Sequence, residues 1–120
     1  MKVLLVEPMK HPRPVEIPHT LEAMQKLVGG YIGASYYWDD PVALVTDDDG
    51  LFKTERLLNR SIDKYTAIRG NFFICGLSAD DFASLPDSLM EKYRRLFWYP
   101  EVFIPTEAGL VVLRLDYEDG

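Results

Sequence analysis

The sequence predicts one α+β domain: a mixed, mostly antiparallel sheet with two main helices, opening with a β-hairpin that is followed by a helix. Three observations predict it. Short apolar, β-branched runs bounded by proline, glycine and aspartate recur along the chain. Two segments carry apolar residues at helical spacing between recognisable stop signals. The length, 120 residues, suits one domain, and no repeat or linker divides it. The domain is expected to span residues 1–120, with a mobile tail from about residue 116.

The elements follow in order. Lys2 to Glu7, "KVLLVE", is a buried strand that stops at Pro8. Val15 to Ile17 alternates and pairs with it as a hairpin across the proline-rich "MKHPRP". Thr20 is the expected N-cap of a helix with Leu21, Met24, Leu27 and Val28 on one face and Gly29-Gly30 as its stop. Strand, strand, helix is also how a ubiquitin-like roll begins. Tyr31 to Trp38 is an aromatic strand and Val42 to Thr46 another. Asp47 to Gly50, "DDDG", reads as a hairpin turn, with "LFK" starting the return strand. Tyr65 to Cys75 is strand-like with a bend at Gly70. Ser78 and Asp81 form an S-x-x-D cap for a short helical turn. Pro86 opens the second main helix, whose apolar face is Leu89, Met90, Tyr93, Leu96 and Phe97, and Pro100 closes it. Leu110 to Leu115, "LVVLRL", is a final strand able to pair across a dimer.

Composition bounds the function. A net charge of −6 makes nucleic acid and anionic lipid poor direct partners. The single cysteine excludes an internal disulfide and a cysteine-based zinc site, and suits a reducing compartment. The N-terminus has four apolar residues before Glu7, too few for a signal peptide or a membrane span, so the expected location is cytoplasmic.

Several site-like patterns resolve into scaffold. "RGNFFICGLSADDF" sets two glycines around an apolar run, but Ser78 occupies a helix donor and Asp80 and Asp81 repel phosphate, so the segment reads as a core strand. Gly29, Gly30 and Gly33 follow a helix, whereas a dinucleotide fingerprint follows a strand. Asp47, Asp48 and Asp49 are contiguous, unlike the alternating ligands of a calcium loop. Cys75 lies in an apolar strand, where a thiol stays protonated, so a pair with His11 or His19 is not expected to be catalytic. No metal or cofactor is expected.

Two features point toward binding. Lys53, Arg56, Arg60, Lys64 and Arg69 make a basic segment in an acidic chain, read either as a solvated face or as an anion patch. Within it Arg56, Asn59 and Arg60 combine bidentate donors with an amide, in a connection between strands where binding groups collect. Alternation puts Tyr36 and Trp38 on one face and Tyr37 on the other, so that aromatics either pack on both sides or expose one side as an anchor. The expected ligand site is therefore Arg56, Asn59, Arg60, Tyr36 and Trp38, for a small anionic or nucleotide-like molecule.

"KVLLVEP", "LEAMQKLVGGYI", "DDPVALVTDDDG", "LLNR", "GNFFICG" and "LMEKYRRLF" occur in that order. Together they resemble an uncharacterised domain-of-unknown-function family of phages and conjugative elements, mainly of Firmicutes. The resemblance spans most of residues 1 to 100. It implies a small accessory protein of a mobile element and supplies no catalytic or binding residues. The expected function is non-enzymatic counter-defence by sequestering a nucleotide-derived ligand, in a possible homo-oligomer. The alternative is an acidic inhibitor or nucleic-acid mimic that blocks a host protein.

Overall fold

A computed structural model describes residues 1–116. The expected mobile tail lies, from residue 117 on, outside the described residues. The fold is α+β. Strands β1 (Lys2–Val6), β2 (Arg13–Glu16), β3 (Ile32–Ser35), β4 (Val42–Asp47) and β7 (Phe72–Leu77) form the main sheet in the order β2-β1-β7-β4-β3, and the short β8 (Phe82–Ala83) adds to β7. β5 (Leu58–Ser61) pairs with β6 (Ala67–Arg69), and β9 (Glu101–Thr106) with β10 (Gly109–Arg114), as separate two-stranded sheets. Every pairing among the described residues is antiparallel.

The central strands are apolar over residues 3–6, 42–45 and 72–75 because both faces of the sheet are covered there. Leu4, Val6, Val42, Leu44, Phe72 and Ile74 face one layer, built from helix α2 (Asp87–Leu96), Ile68 of β6 and Phe97. Val3, Ala43, Val45, Phe73 and Cys75 face the other, built from helix α1 (Leu21–Val28) through Met24 and Val28. Side chains alternate across a strand, so two-sided cover demands an apolar residue at every position. Each fully buried Phe or Leu contributes roughly 1.5–3 kcal/mol from apolar burial.

The helices end where local chemistry ends them. Thr20 Oγ1 accepts from the Ala23 amide at 3.1 Å, and Gly29 takes the left-handed conformation with φ 82. α2 starts one residue after Pro86 and buries Met90 and Tyr93, while Leu96, expected on its apolar face, is 54% exposed.

Four expectations change. The aromatic strand stops at Ser35, and the chain leaves the sheet before Tyr36. "DDDG" is not a hairpin turn: Gly50 has no positive φ and begins a 3-10 turn (Gly50–Phe52), which replaces the expected return strand. The Ser78 to Asp81 cap opens no helix; Ser78 N and Oγ both donate to the Asp81 carbonyl, closing a turn between β7 and β8. The Tyr65 to Cys75 strand divides at Gly70, whose φ of 73 turns the chain from β6 into β7.

Candidate functional site

Asp47 ends β4 with its carboxylate almost wholly inside the protein. It accepts from Lys53 Nζ at 2.5 Å, Arg56 Nη1 at 2.7 Å and the Asp49 amide at 3.0 Å. Lys53 also donates to the Gly29 carbonyl, and Arg56 to those of Val28 and Gly29. The two cations thus satisfy the open carbonyls at the C-terminus of α1 and complement its dipole. Burial pushes the Asp47 carboxyl up and is the largest single influence. The hydrogen bonds from Lys53, the Asp49 amide and Arg56 together outweigh it and hold the group below its ordinary value. A Cβ at Gly30 would stand 2.6 Å from the Asp47 carboxylate oxygens, so the second glycine after α1 leaves room for this ion cluster.

A groove of about 220 Å³ lies on the sheet face that carries α2, at the end α2 does not cover. Its floor is set by register: Gly33 pairs with Thr46 and Ser35 with Leu44, which turns those four residues to one face. Tyr37, Asp48, Leu51 and β6 from Ala67 to Arg69 complete its lining. Among the described residues the Arg69 guanidinium makes one hydrogen bond, from Nη1 to the Arg56 carbonyl at 3.0 Å. Nε and Nη2 of that guanidinium have no hydrogen-bond partner among the described residues. The groove therefore combines a cation, a carboxylate at Asp48, an aromatic ring and the hydroxyls of Ser35, Thr46 and Thr66.

The five residues expected to bind a ligand do not converge. Asn59 and Arg60 are both 0% exposed. Asn59 Nδ2 donates to the carbonyls of Val6 and Gly70. Arg60 donates to the carbonyls of Phe97, Lys10 and Asn59 and to Asn59 Oδ1. Both serve the interior, where they satisfy the carbonyls of Val6, Gly70, Lys10 and Phe97 from four other parts of the chain. Arg56 belongs to the Asp47 ion cluster. Trp38 packs on Tyr93 and Phe97, with ring centroids 4.8 and 6.0 Å apart. Tyr36 is 62% exposed and lines a separate hollow with Asp80 and Asp81. Sequence reasoning passed over Arg69, Tyr37, Asp48, Ser35 and Thr46 as a set. The available signal was polar Ser35 and Thr46 on otherwise apolar strands.

Cys75 is fully buried, and desolvation, with a further push from the charge of Asp81, raises its thiol to about 12. The histidines are engaged elsewhere. His19 Nε2 sits 3.2 Å from Asp81. His11 stacks on Trp98 with centroids 4.0 Å apart, and its Nδ1 lies 2.6 Å from the Trp98 carbonyl. Among the described residues no three His, Cys, Asp or Glu side chains gather as a metal site requires, and no helix is long and apolar enough to cross a membrane.

Residues 1–98 match the profile of a family described as Domain of unknown function (DUF3846), and the chain belongs to that family. No curated protein and no solved structure matches it.

Proposed function

We propose that this member of the DUF3846 family is a non-enzymatic binding protein that takes a small anionic, nucleotide-like ligand in the groove between β3, β4 and β6. One observation carries the reading: Arg69 lines that groove with most of its guanidinium edge uncommitted, beside Tyr37 and a row of hydroxyls. Guanidinium binds phosphate or carboxylate through two parallel hydrogen bonds. A tyrosine ring offers a stacking surface for a base. Asp48 accepts from sugar hydroxyls or an exocyclic amine. The setting that suits such a protein is a phage or mobile element acting in the host cytoplasm, where sequestering a nucleotide-derived signal would serve counter-defence.

Titration calorimetry against cyclic dinucleotides and ADP-ribose derivatives tests this. The unmodified chain should bind one of them. Arg69→Gln should weaken that binding about tenfold to a hundredfold, the loss of about 1.5–3 kcal/mol from a charge-assisted hydrogen bond. Absence of heat from the unmodified chain at high concentration, or full affinity in Arg69→Gln, overturns the reading.

A second reading, an acidic inhibitor or nucleic-acid mimic that blocks a host protein, is favoured by the exposed Tyr36 lying with Asp80 and Asp81. An aromatic anchor within a carboxylate cluster suits a basic partner. It predicts salt-sensitive capture of a host protein in a pull-down, and elution of background proteins alone counts against it.

A further inference from the structure

The β9–β10 ribbon is poorly covered. Ile104, Leu110, Val111, Val112 and Leu113 are between 39% and 56% exposed, and every residue of β10 is exposed. Consecutive residues point to opposite faces, so the ribbon shows apolar side chains on both. It also lies beyond residue 98, where the family match stops. The ribbon is attached at its base: Ser61 Oγ donates to Glu101 Oε2 at 2.7 Å, and the Leu115 amide to the Pro100 carbonyl at 2.7 Å. A two-stranded ribbon is marginal in water without a third strand or a covered face.

The register shows which backbone groups are free. Leu115 bonds inward to Pro100, so alternation turns Leu113, Val111 and Gly109 toward β9 as well. Leu110, Val112 and Arg114 then aim their N–H and C=O groups outward along an edge that no other described strand pairs. Opposite Leu110 stands Pro105, which has no N–H to offer, as this phase requires.

We infer that β10 is a self-pairing edge, and that a second copy of this chain adds its own β10 antiparallel to it. A twofold axis normal to the ribbon at Val112 sets Val112 against its own copy, Val111 against Leu113, and Leu110 against Arg114. Every outward backbone group from Leu110 to Arg114 then finds a partner. The pairing covers the outward backbone of both strands and part of the exposed apolar surface of Leu110 and Val112. The assembly closes as a dimer because both copies use the same patch.

The test is sedimentation of the full chain over a concentration series, with amide exchange read residue by residue. The expected result is a species of twice 13.8 kDa, in which the amides of Leu110, Val112 and Arg114 exchange as slowly as those of Val111 and Leu113. Val112→Pro deletes an outward donor and no bond within the hairpin, and Val112→Lys places a charge on the axis. Each should raise the dissociation constant tenfold or more. Should Val112→Pro fail to fold, the lysine variant and exchange in the unmodified chain decide. A monomer at every concentration overturns the inference and leaves the ribbon to another kind of partner. A dimer in which Leu110 and Val112 exchange freely overturns it too, because its interface lies elsewhere.

Discussion

Arg60→Ala lowers the unfolding midpoint by about 12–20 °C, the equivalent of about 3–5 kcal/mol in a domain of this size. The side chain is fully buried, and its guanidinium joins three parts of the chain. Nε donates to the Phe97 carbonyl at the end of α2, Nη2 to the Lys10 carbonyl in the turn between β1 and β2, and Nη1 to both oxygens of Asn59. Truncation leaves these acceptors without a donor in the interior, at about 1–3 kcal/mol for each one left dry, and it opens a cavity as well. Arg60→Lys should recover only a minor part of the loss, because one ammonium cannot span the positions that the planar fork reaches. Urea titration followed by circular dichroism reads both variants. Stability within about 1 kcal/mol of the unmodified chain in Arg60→Ala would mean that the hub is not holding the layers together.

Arg60 also shows where sequence reading stops. Arg56 and Arg60 stand four residues apart with the same chemistry, and nothing local tells which enters the interior. Arg56 meets Asp47, nine positions earlier, while Arg60 meets carbonyls from Lys10 and Phe97. Features set by neighbours in the chain were legible. The Thr20 cap and the Gly29 stop depend on a few adjacent residues, and the strands β1, β4 and β7 announce two-sided burial by their unbroken apolar runs. "DDDG" misled because Asp47 is recruited by Lys53 and Arg56, which carries the chain into a 3-10 turn instead of a return strand. β9 went unread because Pro100 looks like a helix end and Pro105 breaks the pattern. The groove was illegible for a stronger reason. Tyr37, Asp48 and Arg69 come from three separate segments and meet only once the β3–β4 register and the position of β6 are known.

Asp47→Asn should destabilise the chain by about 2 kcal/mol at neutral pH and make its stability less sensitive to acid. The cost of breaking a buried ion pair is about 3–5 kcal/mol, and it is discounted here because Lys53 and Arg56 remain 31% and 23% exposed and water can solvate them. The acid response follows from linkage. The Asp47 carboxyl is held below its ordinary value in the folded chain, so the unfolded chain takes up its proton first as pH falls. Its contribution is complete above the unfolded value of about 3.9 and disappears as pH drops through the lower folded value. Asparagine has no proton to gain, so the variant's stability should fall less steeply below about pH 4. It should still fall, because Asp40 and Asp63 are also held low, Asp40 by hydrogen bonds from Lys92 and Tyr93 and Asp63 chiefly by the Tyr65 amide. Urea titrations from pH 7 to pH 2.5 measure the difference. Two curves that stay parallel through the acid range would show that Asp47 protonates alike in the folded and unfolded chains. The ion cluster would then be holding the loop to the end of α1 by shape and not by charge.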